Sequence, residues 1–343
     1  MQHKIDEFND FIKYNIKNCW LIPGLSIVIF NDSKILYKYV HGYANIKTKR
    51  KLKITDKFCI ASCSKSILCL AISIAIQKKV IPNIWKQTLS DIYGDKIHID
   101  FRKVPIEYIA CHKSGITDFR DCPKKFESIQ KYANMEGVKS REIVAKFILK
   151  DEPHYKPGTK FEYSNIGYGI LGSIVEKLTG KTYSEFINEH VFNDLKISAD
   201  FETYYIGSGY AEGHKYDNII AKPKYEPLKK KEHANPAYEQ PAGEIYINVL
   251  DSAKYLQQYL KTYCGKKSLF NKSIYNRQVR SLNGNYALGW NNDKISVGHG
   301  GGYFCTITQY TILPKTNIGI VINCNTYQFN MQPILNKFIE IFK

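Results

Sequence analysis

The fold is decided by the segment FCIASCSK at residues 58–65, which runs directly into the apolar stretch ILCLAISIAI at 67–76. Because that stretch predicts a buried helix over about 63–79, Ser62 lies at the helix start and Lys65 one turn further along the same face. A serine hydroxyl becomes a nucleophile only with a base within hydrogen-bond reach. Lys65 can be that base if burial lowers its pKa from ~10.4 towards 7. The free backbone N–H of Ser62 also suits an oxyanion.

The Ser-x-x-Lys spacing alone does not decide between a catalytic and a structural role. It occurs again as Ser128-Ile129-Gln130-Lys131, in a charged stretch with no apolar helix after it. On the structural interpretation, Ser62 only caps the helix and Lys65 is a solvated residue of the first turn. The distinction therefore depends on the rest of the chain.

A second polar segment is Tyr163-Ser164-Asn165, within PGTKFEYSNIGY at 157–168. The Tyr-x-Asn pattern recurs in this Tyr- and Asn-rich chain, so the tripeptide alone carries little weight. Here, however, a Pro-Gly turn and a short extended segment lead into a helix predicted to begin near Asn165. The Tyr163 phenol and the Asn165 amide are thereby predicted at a loop-to-helix junction, where both can point into a cleft.

The third segment is Gly298-His299-Gly300-Gly301-Gly302, between two strand patterns. Glycines at a strand edge allow a ligand to approach the backbone closely, and free N–H groups there can complete an oxyanion hole. The structural alternative is a hairpin loop with a surface histidine. The oxyanion loop of α/β-hydrolases does not apply, because the chain has no Gly-x-Ser-x-Gly.

Together and in this order, the three segments resemble the serine β-lactamase and DD-peptidase (penicillin-binding-protein) superfamily, and most closely its class C-like and esterase branch. The resemblance runs from about residue 20 to 325. It also covers HKSG at 112–115, PAG at 241–243 and LGW at 288–290.

The resemblance implies a role for each motif residue. Ser62 attacks a carbonyl and forms an acyl-enzyme, while Lys65 and Tyr163 share the proton transfer. Asn165 holds Lys65 or the substrate amide, and the backbone N–H groups of Ser62 and Gly302 form the oxyanion hole. No metal or organic cofactor is implied. The predicted substrate-binding residues are Asn165, His299, Gly301 and Gly302.

His299 stands where β-lactamases and DD-peptidases usually carry the lysine of Lys-Thr-Gly. A histidine of pKa ~6.5 is only roughly a quarter charged at pH 7, so a substrate carboxylate is bound less well. We therefore predict hydrolysis of a small ester or amide, similar to esterases and D-amino-acid amidohydrolases. The alternatives are a true β-lactamase or DD-carboxypeptidase, and a non-catalytic binding or scaffold module of the same fold. His112 is interpreted as a structural hydrogen-bonding residue.

The predicted fold is α+β. Apolar patterns at 24–30 and 33–44 predict a hairpin, and 285–291, 294–298, 303–312 and 317–323 predict successive antiparallel strands. Terminal and intervening helices are predicted at about 5–16, 139–150, 165–190 (with a break near Thr179-Gly180), 250–262 and 329–342. One antiparallel sheet is thus built from both chain ends and flanked by helices. The 343 residues are predicted to form a single domain, with a sheet subdomain at about 1–80 and 240–343 and a mostly helical lobe at about 81–239.

Composition limits the partners and the cellular location that we expect. The net charge of +17 is spread along the chain, so it predicts no specific nucleic-acid partner, and the run KKK at 229–231 is interpreted as a solvated loop. Nine cysteines without a Cys-x-x-Cys pair favour free thiols. With no signal-peptide pattern and no apolar run long enough to span a bilayer, we expect a cytoplasmic protein. No oligomeric state is indicated, and the expected partner is a small-molecule ester, amide or β-lactam.

Overall fold

A computed structural model describes residues 1–17, 22–118, 123–201, 207–217, 224–227, 235–282, 284–303 and 305–343. The predicted solvated loop at 229–231 lies outside these residues. The strands of the described chain are β1 (Gly24–Phe30), β2 (Ile35–Asn45), β3 (Arg50–Lys51), β4 (Lys57–Cys59), β5 (His214–Asp217), β6 (Lys224–Pro227), β7 (Tyr246–Asn248), β8 (Asn291–Asn292), β9 (Val297–Tyr303), β10 (Thr306–Leu313) and β11 (Ile318–Cys324).

Seven of these strands form one sheet, in the order β3-β2-β1-β11-β10-β9-β8. Each adjacent pair is antiparallel, and β1 pairs with β2 on one side and with β11 on the other. The first strands of the chain therefore lie beside the last. This confirms the predicted antiparallel sheet built from both chain ends. The strands β4 and β7 form a separate short pair that leads into the site.

The helices of the described chain are α1 (Gln2–Lys17), α2 (Ser64–Gln77), α3 (Leu89–Tyr93), α4 (Ile99–Arg102), α5 (Ile106–Ala110), α6 (Pro123–Gln130), α7 (Gly137–Lys150), α8 (Asn165–Thr179), α9 (Tyr183–Ile187), α10 (Asn193–Leu195), α11 (Val249–Tyr263), α12 (Lys272–Val279) and α13 (Gln332–Phe342). The break predicted near residue 180 is present, because Gly180 ends α8 in the left-handed conformation. None of the described helices is both long and apolar enough to cross a membrane.

The sheet is covered on both faces, as the alternation of buried side chains along β1 shows. Leu25 and Ile27 pack with the terminal helices α1 and α13. Val28 and Phe30 point to the opposite face and join the larger core around α2 and α11. Because side chains alternate along a strand, one apolar strand stabilises both layers. The sheet is thereby packed against the helix α2 that follows the site.

A buried ion pair fastens the helical part of the chain. The Arg141 guanidinium on α7 donates to both carboxylate oxygens of Glu176 on α8, at 2.7 to 3.1 Å, and both side chains are 3% exposed. Arg141 also donates to the carbonyl of Ala237, at 2.8 Å. Such a bidentate pair fixes geometry as well as charge. It connects two helices with the segment that approaches the site from 235 to 243.

The prediction of a strand at 285–291 is wrong. Of this range only Asn291 belongs to a strand, β8, because the chain turns at Gly289, which has φ of 75°. A side chain at Gly289 would collide with the backbone of Ser66 at the start of α2. The apolar residues Leu288 and Trp290 are buried by packing against helices and not by strand pairing. The glycine run, in contrast, is part of β9 and pairs with β10 along its whole length.

Candidate active site

Ser62 lies in a single 3-10 turn, Ala61–Cys63, that joins β4 to α2. Ala61 has φ of 45°, a left-handed conformation that costs energy for any residue with a Cβ. The turn is supported by Gly301 of β9, where a Cβ would overlap the carbonyl of Ile60 and lie 3.1 Å from the backbone nitrogen of Ser62. The glycine at 301 therefore lets β9 pack directly against the turn that presents the serine.

The Lys65 ammonium lies beside the Ser62 hydroxyl, with Nζ 3.1 Å from Oγ. The side chain is 0% exposed. Its Nζ also donates to Oδ1 of Asn165 and to the carbonyl of Ala242, both at 2.8 Å. Three acceptors thus hold the amine in one position. The solvated first-turn lysine of the structural interpretation is excluded by this burial.

Burial lowers the pKa of Lys65 to about 7, because the interior disfavours its charged form. The negative charges of Glu239 and Asp118 oppose this shift and keep the pKa from falling further. The amine is thus close to half protonated at neutral pH, the condition under which a group can both accept and return a proton.

Tyr163 and Asn165 flank the N-terminus of α8, as the loop-to-helix prediction requires. The Ser164 hydroxyl caps the helix by accepting from the N–H of Gly167 at 2.9 Å. The Tyr163 ring centroid lies 4.8 Å from the Lys65 amine. The Asn165 amide is oriented at its other end by Asp118, whose Oδ2 accepts from Nδ2 at 3.2 Å.

His112 holds the loop that presents Tyr163. Its Nδ1 accepts from the N–H of Ser164 at 3.1 Å, and its carbonyl accepts from the N–H of Glu162 at 2.9 Å. The imidazole ring lies 4.2 Å from the Tyr163 ring, centroid to centroid. Burial lowers the pKa of His112 well below its usual value, so the ring is neutral. These contacts are those of a structural hydrogen-bonding residue.

His299 is 4% exposed and hydrogen-bonded on both ring nitrogens. Nε2 lies 2.9 Å from the hydroxyl of Tyr286, and Nδ1 lies 2.6 Å from the carbonyl of Gly300. The Gly300 carbonyl can only accept, so Nδ1 carries the proton and Nε2 accepts from the Tyr286 hydroxyl. Burial, with the nearby Lys65 charge, lowers the pKa of His299 to about 4. The ring is therefore uncharged at neutral pH.

A cavity of about 60 Å³ opens at Ser62. Of the residues predicted for the site, Ser62, Asn165 and Gly302 line it. Lys65, Tyr163, His299 and Gly301 do not belong to its lining and lie around or behind it. The lining residues are Ala61, Ser62, Asn165, Asn235, Glu239, Ala242, Gly243, Gly302 and Tyr303.

Sequence motifs missed several residues of this neighbourhood. Asn235 and Glu239 precede the PAG segment at 241–243, and Asp118 follows HKSG at 112–115, so proximity to a motif was the available signal. Tyr286 lies two residues before LGW at 288–290, but its contact with His299 arises only in the folded chain. Within the described parts of the chain, no three His, Cys, Asp or Glu side chains are grouped to hold a metal ion.

The antiparallel sheet of both chain ends and the Ser–Lys pair at a buried helix define the β-lactamase and penicillin-binding-protein class of folds. The chain belongs to the beta-lactamase family, whose model matches residues 12–339. Members of this family are mostly serine hydrolases.

Individual relatives agree with this assignment. Protein flp of Staphylococcus aureus (strain MW2) is 27% identical over 316 residues, covering 89% of this chain and 60% of that protein. The chain thus spans about three fifths of that relative's length. Among solved structures, the hydrolase EstCE1 superposes with a TM-score of 0.77, at 16% identity over 99% of this chain and 98% of that one. The D-amino acid amidase of Ochrobactrum anthropi SV3 superposes with a TM-score of 0.72, at 16% identity over 98% of each chain.

Proposed function

We propose that this protein is a serine hydrolase that cleaves a small ester or amide through an acyl-enzyme on Ser62. The observation that carries the proposal is the buried Lys65 amine, 3.1 Å from the Ser62 hydroxyl and with a pKa of about 7. A structural cap has no need of a desolvated lysine, whereas a nucleophilic serine needs such a base. The Ser62 and Lys65 side chains therefore form the nucleophile and its base.

The proposed reaction uses these groups in the following order. Neutral Lys65 accepts the Ser62 proton as Oγ bonds to the substrate carbonyl carbon, and the carbonyl oxygen becomes an oxyanion facing the backbone N–H groups of Ser62 and Gly302. The proton returns through Lys65 and the adjacent Tyr163 phenol to the leaving alcohol or amine, as the carbonyl re-forms and the old bond breaks. Water, deprotonated by the same groups, then attacks the ester on Ser62 and releases the acid.

The charges around the cavity favour an ester or amide without a carboxylate. His299 is neutral, so it supplies no cation for the carboxylate of a β-lactam or of a D-alanyl peptide. Glu239 in the lining and Asp118 behind Asn165 add negative charge. The cavity of about 60 Å³ is also far below the ~300 Å³ at which pockets for larger ligands begin. The likeness to the hydrolase EstCE1 and to a D-amino acid amidase supports the same choice.

Labelling with a serine-directed fluorophosphonate, followed by intact mass, tests the proposal on wild type and Ser62→Ala in parallel. We expect one adduct on wild type and none on the variant. Turnover of p-nitrophenyl acetate, D-phenylalaninamide and benzylpenicillin then ranks the substrate classes. Faster turnover of benzylpenicillin than of the ester would favour the β-lactamase alternative. An unlabelled wild type that hydrolyses none of the three would favour a non-catalytic module.

A further inference from the structure

Asn235 forms part of the cavity wall and carries a polar atom that the fold leaves unused. The residue lines the same cavity as Ser62 and is only 7% exposed. Its amide Nδ2 is buried and has no hydrogen-bond partner among the described residues. A buried amide donor without an acceptor is unfavourable, and buried polar groups in native proteins are almost always paired. Such a group in the wall of a catalytic cavity indicates an acceptor that arrives with the ligand.

The chain that follows Asn235 is anchored by hydrogen bonds of its backbone. The N–H of Ala237 donates to the carbonyl of Ala133 at 2.8 Å, and the carbonyl of Ala237 accepts from Arg141 at 2.8 Å. Further along the same segment, the carbonyl of Ala242 accepts from the Lys65 amine. The segment is therefore anchored both to the helical lobe and to the catalytic lysine.

The surroundings of Asn235 include a buried carboxyl, that of Glu244. Glu244 is 1% exposed, and burial raises its pKa well above the usual value. The Gln240 side chain and the Asn235 backbone oppose that shift, and neither carboxyl oxygen of Glu244 is hydrogen-bonded among the described residues. Glu244 does not occupy the Asn235 amide, since its oxygens and the Asn235 Nδ2 all lack a hydrogen-bond partner among the described residues.

We propose that Asn235 is a specificity-determining residue whose amide donates to an oxygen acceptor in the acyl part of the substrate, close to the scissile carbonyl. This inference rests on the serine-hydrolase function proposed above and narrows its substrate class. The preferred substrates carry an ether, hydroxyl or carbonyl oxygen on a short acyl chain, and plain alkanoyl esters are poorer substrates. An apolar acyl group of the same size fills the cavity but leaves Nδ2 unpaired.

Two esters of equal chain length test the inference. In p-nitrophenyl methoxyacetate an ether oxygen replaces one methylene of p-nitrophenyl butyrate. The ratio of their kcat/KM values, divided by the ratio of their hydroxide-catalysed rates, isolates recognition by the protein. We expect a corrected ratio above one for wild type and a fall of roughly fivefold in Asn235→Leu, the contribution of one neutral hydrogen bond. An equal corrected ratio in wild type and Asn235→Leu would refute the subsite.

Controls separate this inference from the proposed function and from misfolding. Asn336→Leu makes the same change on the exposed face of α13 and should leave the ratio at the wild-type value. Asn235→Ala repeats the test with a smaller side chain that has no donor if the thermal midpoint of Asn235→Leu falls. If turnover proves independent of Ser62, the binding of methoxyacetamide and of butyramide, measured by saturation-transfer NMR, still tests the subsite. Tighter binding of methoxyacetamide that depends on Asn235 supports the subsite, and equal binding overturns it.

Discussion

The strongest prediction concerns the pH at which Ser62 becomes reactive. Lys65 must be unprotonated to accept the serine proton, so the rate of acylation should rise with pH and level off above the lysine's pKa. Burial moves that pKa from 10.5 to about 7. We therefore expect the rate to increase tenfold per pH unit below about 6 and to reach half its maximum near pH 7. Lys65→Arg, which keeps the charge but does not deprotonate, should lose acylation across the whole range.

The size of the effect follows from the shift. With a pKa near 7, about half of the molecules hold neutral Lys65 at pH 7, whereas an ordinary lysine would be neutral in roughly 3 of 10⁴. Burial thus increases the fraction of molecules with neutral Lys65 at pH 7 about 10³-fold. The same shift lowers the free energy of unfolding by about 5 kcal/mol when Lys65 is protonated. Because the folded-state pKa lies below the unfolded value, this cost is fully present below pH 7. It disappears as the pH rises towards 10.5.

The assay is the pre-steady-state burst of p-nitrophenol from p-nitrophenyl acetate between pH 5.5 and 9.5, corrected for the Ser62→Ala background. Stopped-flow absorbance at the isosbestic wavelength removes the titration of the product itself. A burst rate that does not depend on pH, or that is still rising at pH 9.5, would refute the role of Lys65 as base. Control mixtures at two salt concentrations exclude a general effect of the chain's positive charge.

Three further predictions follow from contacts described above. Asp118→Asn removes a charge that raises the Lys65 pKa, so the half-maximum of the burst rate should move to lower pH, by less than about one unit; an unmoved midpoint with a lower rate would indicate a purely structural role. Arg141→Met leaves a buried carboxylate unpaired and should lower the free energy of unfolding by about 3–5 kcal/mol in urea titrations, a loss below 1 kcal/mol contradicting the pair's importance. Gly301→Ala should reduce fluorophosphonate labelling at least tenfold, because its methyl overlaps backbone behind the nucleophile. The neighbouring Gly300→Ala meets only the flexible end of a glutamine and should label normally; equal labelling of both would contradict the packing argument.

Much of the fold could be predicted because its strongest signals are local. The apolar run at 67–76 predicted the helix that the structure has at Ser64–Gln77. The pattern at 317–323 predicted β11, which begins and ends one residue later. A helical spacing of three also sufficed to place Ser62 beside Lys65. These features depend on periodicity within one element, which the sequence displays directly.

The remainder depended on contacts between distant parts of the chain. The glycine run of β9 has no alternation of apolar and polar residues, and its strand geometry comes from pairing with β10. The apolar residues near Trp290 are buried by helices, but their sequence pattern is the same as that of a buried strand. The charge of His299 was overestimated for the same reason, since its burial and its bond to Tyr286 arise only in the folded chain. Asn235 belongs to no motif, and only the fold brings it to the site.

The central position of β1 determines when this protein can fold during its synthesis. Its partner β11 is made roughly 290 residues later, and the layer beneath them needs α13 as well as α1. During synthesis, the side of β1 that later pairs with β11 is therefore unpaired in the hairpin of β1 and β2. Such an unpaired strand edge is prone to pair with other nascent chains. Loss of the last two elements would leave that edge permanently open. The growing chain thus keeps this edge of β1 unpaired until β11 has been translated.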